Sequence, residues 1–130
     1  MKIKLVLICF YAFFSCNNSL LNTTIINDSQ DTIRVKKGDP FIIQLESSFG
    51  NGYKWDIAGA LDQTIVTLDS ISFKKETTND AEIVIGKKPL VLFHFNTLGK
   101  GTTNIKFIQF RPWEKDTPKD SSLYKLIVVD

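Results

Sequence analysis

The sequence has few of the residues on which catalysis, metal binding and covalent cross-linking depend. Its two cysteines, Cys9 and Cys16, both lie within the first 16 residues, and His94 is the only histidine. The rest of the chain therefore offers no disulfide, no cysteine–histidine pair, no histidine cluster and no serine in an elbow motif. His94 stands between Phe93 and Phe95, which favours a sheet residue over a general base. These absences argue against an enzyme and predict a domain that uses no metal and no other cofactor.

An excess of one charge sign is also absent once the amino-terminal segment is set aside. The whole chain has 16 Lys and Arg against 14 Asp and Glu, a formal net charge of +2. Removal of residues 1–15 takes away Lys2 and Lys4 and no acidic residue, which leaves 14 basic and 14 acidic residues. Because binding to nucleic acid relies on excess positive charge, this balance predicts no nucleic-acid partner.

Residues 1–15 have the features of an export signal. Lys2 and Lys4 give a basic start, Leu5–Phe14 is apolar, and polar residues follow at Asn17. A run of about ten apolar residues is too short to span a bilayer comfortably. Cleavage and export are therefore predicted rather than a membrane-spanning helix.

The segment Phe13–Cys16 resembles the cleavage box of bacterial lipoproteins, in which the cysteine becomes the lipidated first residue. The resemblance implies lipidation of Cys16 and a membrane-anchored lipoprotein in the bacterial periplasm or at the cell surface. An ordinary secretory signal, and hence a secreted protein, is the alternative. In either case the only expected link to a membrane is this lipid.

The remaining chain divides into a tether and one domain. Residues 16–31 are rich in Asn, Ser and Thr, as expected for a tether that holds a domain away from a surface. Residues 32–130 form the predicted domain, which at roughly 100 residues is long enough to bury a single core.

Short β-type segments separated by turn signals dominate the predicted domain. The predicted strands are Thr32–Lys36, Phe41–Leu45, Tyr53–Ile57, Ile65–Lys75, Ile83–Ile85, Leu90–Thr97, Thr102–Arg111 and Leu123–Val129. Seven or eight strands without a convincing helix predict an all-β, immunoglobulin-like β-sandwich.

Three details of this pattern leave alternatives open. Ala58–Thr64 has room for a short helical turn, and Ile65–Lys75 reads as one strand or as two with a bend. The apolar positions of Thr102–Arg111 change phase, which indicates either a bulge or burial on both faces. Gly99 and Gly101 are expected to supply positive φ angles in the hairpin turn that precedes this strand.

Three loops of unusual composition are predicted to share one end of the sandwich. They are Ser47–Gly52, Gly86–Pro89 and Arg111–Ser122, and strand counting places the Leu98–Gly101 turn at the opposite end. Loops on a rigid sandwich are common sites of recognition.

The two tryptophans have different expected roles. Pro112 cannot continue a ladder, so the preceding strand should end at about Arg111 and leave Trp113 in a polar loop. Trp113 is then either a loop anchor or a contact with a partner. Trp55 lies in mid-strand, where core packing is favoured over partner contact.

The order and spacing of these motifs resemble the chagasin-type inhibitors of papain-like cysteine peptidases. Arg111–Glu114 reads Arg-Pro-Trp-Glu and follows the Gly-x-Gly hairpin at Gly99–Thr102. Gly52–Trp55 keeps the family pattern of glycine, aromatic, any residue and tryptophan. Ser48–Asn51 replaces the Asn-Pro-Thr-Thr that precedes it in the family, and Pro89 replaces a later glycine of the middle loop.

The resemblance implies a monomeric, immunoglobulin-like inhibitor whose three loops fill the active-site cleft of a papain-like cysteine peptidase without chemistry. The first loop would enter near the catalytic cysteine, and the other two would brace the sides of the cleft. The residues that it assigns to the contact are Ser48, Phe49, Gly50, Asn51, Gly52, Tyr53, Gly86, Lys87, Lys88, Arg111, Pro112, Trp113 and Glu114. The alternative is an immunoglobulin-like surface lipoprotein that binds carbohydrate or another surface protein, with Trp113 stacked on a sugar.

Overall fold

The computed structural model describes residues 23–27, 31–75, 88–114 and 116–130. These residues form eight strands and a single 3₁₀ turn at Phe49–Asn51. The strands are β1 (Thr24–Ile26), β2 (Thr32–Lys36), β3 (Pro40–Glu46), β4 (Lys54–Ile57), β5 (Val66–Lys74), β6 (Leu90–Thr97), β7 (Gly101–Phe110) and β8 (Asp120–Val129). They make two four-stranded sheets, ordered β1-β3-β6-β5 and β2-β8-β7-β4. The predicted all-β sandwich is confirmed.

The strands alternate between core and outer positions, as expected when each sheet buries one face. In β3, Phe41, Ile43 and Leu45 are fully buried, and the residues between them are only partly so. The central pairs β3–β6, β5–β6, β7–β8 and β4–β7 are antiparallel, whereas β1–β3 and β2–β8 are parallel. One buried layer between the sheets therefore forms the core.

The sheet begins earlier than the predicted domain boundary at residue 32. Strand β1 lies within the segment predicted as a tether and pairs with β3, Ile26 opposite Ile43. Ile26 is only 3% exposed, because it enters the core cluster. Burial of Ile26 and pairing with β3 therefore hold β1 on the sheet although the surrounding composition is polar.

Several strand limits differ from the sequence prediction. Strand β8 starts at Asp120 rather than Leu123, because pairing with β7 continues as far as Gln109 opposite Asp120. The loop before β8 therefore ends at Lys119 instead of Ser122. No helix forms at 58–64; the chain instead ends this segment in a hydrogen-bonded turn, in which the Ile65 and Val66 amides both donate to the Asp62 carbonyl at 3.0 Å. The predicted strand Ile83–Ile85 lies outside the described residues.

Strand β7 is buried on both faces near its end, and the alternative of a bulge in β7 was wrong. Its register with β8 runs without a shift from Gly101 to Gln109. Gln109 and Phe110, which point to opposite faces, are 4% and 7% exposed. The irregularity lies in β5 instead, where the register with β6 shifts between Leu68 and Ser70. Strand β5 nevertheless runs unbroken from Val66 to Lys74, so the single strand is the alternative found for Ile65–Lys75.

The β6–β7 turn uses its two glycines for different reasons. Gly101 has a φ of +152°, which favours glycine, whereas no positive φ is found at Gly99. A Cβ on Gly99 would overlap the carbonyl oxygen of Thr64. The Leu98 and Gly99 amides both point to the Ile65 carbonyl, at 2.7 and 3.3 Å. The prediction of positive φ is thus correct for Gly101 and wrong for Gly99, where close backbone approach requires the glycine.

We predict that Gly99→Ala lowers the free energy of unfolding by about 1–3 kcal/mol, because the new methyl group must displace backbone. Gly50→Ala is the matched control, since a Cβ there meets nothing within 4 Å. The control should change the free energy of unfolding by less than about 1 kcal/mol, because alanine only lowers the conformational entropy of the unfolded chain. Urea denaturation of both variants measures the difference. Equal stabilities would show that the turn relaxes freely.

Candidate functional site

The loops that follow β3 and β7 meet at one end of the sandwich, where residues 88–89 of the loop after β5 also lie. The three loops are the first loop (residues 47–53) after β3, the middle loop (residues 75–89) after β5, and the third loop (residues 111–119) after β7. The Ser47 amide donates to the Pro89 carbonyl at 2.8 Å, which joins the first and middle loops. Arg111 Nε donates to the Asn51 carbonyl at 3.0 Å, which joins the first and third loops. The turn at Leu98 lies at the opposite end, as predicted.

The first loop is shaped by its own backbone. Phe49–Asn51 forms the 3₁₀ turn, closed by a 3.1 Å hydrogen bond from the Asn51 amide to the Ser48 carbonyl. Gly52 follows with a φ of +77°, a conformation that glycine adopts without steric cost. Gly50 and Asn51 are exposed, so the backbone of this turn is accessible at Gly50, which has no side chain.

The middle loop is described only at its two ends. Lys88 forms an ion pair with Glu46 at 3.7 Å, and both side chains are largely exposed. An exposed pair of this kind contributes at most about 1 kcal/mol, so the Ser47–Pro89 backbone bond is the firmer link. The predicted contact residues Gly86 and Lys87 lie outside the described residues.

The third loop turns back immediately after β7. The Glu114 amide donates to the Arg111 carbonyl at 2.9 Å, and the Lys119 amide donates to the Gln109 carbonyl at 2.8 Å. Strand β7 ends at Phe110, close to the position that Pro112 predicts. The turn leaves Trp113 68% exposed, the largest exposed fraction among the large hydrophobic side chains described.

Arg111 lies at the centre of the site. Its guanidinium carbon is 4.4 Å from the centre of the Tyr53 ring and 5.9 Å from that of Trp113. It also pairs with Glu114 at 3.8 Å. The resemblance assigns Arg111 to the contact with a peptidase. In the structure its Nε donates to the first loop, and its guanidinium lies near Tyr53 of that loop and Trp113 of its own.

Two lysines that the sequence did not indicate make cation–aromatic contacts near the loops. Lys119 Nζ lies 4.8 Å from the centre of the Tyr53 ring, and Lys54 Nζ lies 5.4 Å from that of Phe110. Tyr53 thus contacts cations from two positions of the third loop. No sequence pattern could have revealed these contacts, because they join residues from different loops and strands.

Trp55 belongs to the core, as predicted. It is 9% exposed and packs in the core cluster. Its Nε1 donates to the Glu46 carbonyl at 2.7 Å, which satisfies the polar group of a buried indole. This bond also holds the start of β4 against the end of β3, on either side of the first loop.

The described residues contain no group of three or more His, Cys, Asp or Glu side chains that could hold a metal ion. Nor does that part of the chain include a helix long and apolar enough to cross a membrane. His94 lies within β6 and is 2.7 Å from the Ser72 hydroxyl on neighbouring β5. The three-loop end is therefore the candidate site.

Two four-stranded sheets packed as a sandwich, with the loops after β3 and β7 linked at one end, define an all-β, immunoglobulin-like class, and sequence comparison identifies the family. The model of the chagasin family peptidase inhibitor I42 matches residues 34–128. The chain belongs to this family.

Similar proteins and solved structures include cysteine protease inhibitors. Amoebiasin-2 of Entamoeba histolytica is 26% identical over 123 residues, which cover 91% of this chain and 97% of the relative. The crystal structure of the cysteine protease inhibitor EhICP2 from Entamoeba histolytica superposes with a TM-score of 0.67 at 26% identity, covering 82% of this chain and 96% of that one. The solution structure of amebosin, with a TM-score of 0.62 and 15% identity over 82% of this chain and 98% of its own, shares the fold.

We predict that Ser47→Ala raises the free energy of unfolding by about 1 kcal/mol, because it removes a buried hydroxyl that lacks a hydrogen bond. Ser47 is 1% exposed, and its Oγ has no partner among the described residues. Ser70→Ala, at an exposed position of β5, is the control and should change stability by less than about 0.5 kcal/mol. Thermal and urea unfolding check both. A clear loss of stability in Ser47→Ala would mean that the hydroxyl has a partner.

Proposed function

We propose that the protein inhibits papain-like cysteine peptidases by filling the active-site cleft with its three loops. The observation that carries the proposal is the set of linked loops at one end of a chagasin-family chain. Two hydrogen bonds to backbone carbonyls, of Pro89 and Asn51, join the loops, and Trp113 is exposed beside them. The relative EhICP2, a cysteine protease inhibitor, supports the class of target.

Inhibition of this kind needs no bond to form or break. Loops that are already fixed lose little conformational freedom on binding, so more of the contact energy appears as affinity. The first loop exposes Gly50 and Asn51, and the glycine allows its backbone to approach the catalytic cysteine closely. Asn51 takes the place of the family threonines there as the polar group at the tip.

Trp113 and Lys88 would lie on either side of this tip. Both are exposed, and Trp113 offers the large apolar surface that typically dominates the energy of protein interfaces. We propose that its indole packs on an apolar wall of the cleft, while the middle loop covers the other wall. The protein acts as a monomer in this mechanism, because one chain supplies all three loops.

We predict that Trp113→Ala raises the inhibition constant toward papain at least about 30-fold, equivalent to about 2 kcal/mol, by removing the main apolar contact. The free energy of unfolding should change little, since the Trp113 side chain is 68% exposed. Steady-state inhibition of papain by the purified chain measures the effect.

Leu98→Ala is the matched control for this prediction. Leu98 is an exposed hydrophobic residue, 49% accessible, but it lies at the opposite end of the sandwich. The proposal requires normal inhibition from this variant. Equal inhibition by Trp113→Ala and the unaltered protein would remove Trp113 from the interface, and no inhibition of papain or related enzymes at micromolar concentration would refute the proposed function.

We also propose that the protein is exported and held at a membrane through lipid on Cys16, with secretion in soluble form as the alternative. The support is the sequence of residues 1–16, which lie outside the described residues. Cys16→Ser should move the protein from the membrane fraction to the soluble fraction after expression in a bacterium, because the thiol that accepts the lipid is gone. Cys9→Ser, within the apolar stretch, is the control. Unchanged fractionation of Cys16→Ser would exclude the anchor.

A further inference from the structure

The first and third loops fit together more closely than two hydrogen-bonded segments require. A Cβ on Gly52 would lie 2.6 Å from Cη2 of Trp113, and 3.4 and 3.6 Å from Cζ2 and Cζ3. The six-membered edge of the indole thus rests on the bare α-carbon of Gly52. Although Trp113 is 68% exposed, this edge of its ring is in contact with the first loop.

Arg111 contacts the residues on both sides of Gly52. Its Nε–H reaches the carbonyl of Asn51, the residue before Gly52, at 3.0 Å. Its guanidinium lies over Tyr53, the residue after Gly52, at 4.4 Å, and 5.9 Å from the Trp113 ring. One side chain therefore touches both neighbours of Gly52 and the indole that rests on it.

We propose that the first and third loops act as one pre-formed wedge, in which Gly52 seats the Trp113 indole and Arg111 is a positioning residue. Arg111 contributes to inhibition through the shape of the wedge and not through a contact with the peptidase. The proposal rests on the proposed inhibitory function, but the wedge itself is a property of the free protein.

The substitution Gly52→Ala tests the seat. The atom that the new Cβ meets belongs to an exposed side chain, so the indole moves away while the sandwich stays folded. The positive φ of Gly52 also strains alanine, and this strain is the same whether or not Trp113 is present. A double-mutant cycle with Trp113→Ala therefore separates the contact with the indole from the backbone effect.

The expected result is non-additive. Gly52→Ala should raise the inhibition constant toward papain at least tenfold in the unaltered protein and less than threefold in the Trp113→Ala background. Equal fold-changes in both backgrounds would overturn the wedge.

Arg111→Lys tests the positioning role. Lysine keeps the positive charge but loses the Nε–H donor and the flat guanidinium. We expect it to weaken inhibition as much as Arg111→Ala does, by at least tenfold. Full inhibition by Arg111→Lys would assign Arg111 to a charge contact with the peptidase and overturn its positioning role.

A readout without peptidase separates this inference from the proposed function. The chain has two tryptophans, so its ¹H–¹⁵N spectrum contains two indole signals, and Trp113→Ala identifies the one from Trp113. Gly52→Ala and Arg111→Lys should each shift the Trp113 signal and leave that of Trp55 in place. If the Trp113 signal shifts in the variants but the unaltered protein does not inhibit papain, the wedge stands and the proposed function fails. If the Trp113 signal does not move in the variants while the unaltered protein inhibits papain, only the wedge is refuted.

Discussion

The contact of Phe107 with the opposite sheet is the interaction on which the rest of the structure depends. Phe107 of β7 lies 4.7 Å from Phe93 and 6.4 Å from Phe95 of β6, measured between ring centres, and 5.8 Å from Tyr124 of β8. Tilted and edge-on aromatic pairs of this kind stabilise beyond the area they bury. Because the domain has no disulfide to join its sheets, this packing fixes β7 relative to β6. The first and third loops inherit their relative position from it.

Fixed strand ends explain how irregular loops become a precise surface. The first loop leaves β3 and enters β4, where the indole of Trp55 bonds to the last residue of β3. The third loop leaves β7, the neighbour of β4 in its sheet. The loops therefore start close together, and Arg111 and Trp113 need only bridge a short gap. Loops of this kind are ordered when the protein folds, so they lose less conformational entropy when a partner binds.

Much of this architecture was predictable from local pattern. Alternation in segments such as Phe41–Leu45 indicates one buried face, and Pro112 sets the end of β7 through its missing amide proton. The pattern failed where pairing or packing overrode composition. Asp120–Ser122 is polar yet extends β8, because β7 supplies hydrogen-bond partners. Gly99 looked like a turn glycine and is instead required by the carbonyl of Thr64, a residue distant in sequence.

The sequence by itself determined the all-β class, the core position of Trp55, the loop position of Trp113 and the family, since these follow from periodicity, proline and motif order. Only the tertiary structure decided what Arg111, Gly52 and Tyr53 do. Their contacts join residues about 60 positions apart, and such pairs meet only after both sheets have packed. Local spacing specifies which face a side chain takes, whereas the partner that it finds there depends on how distant strands are brought together.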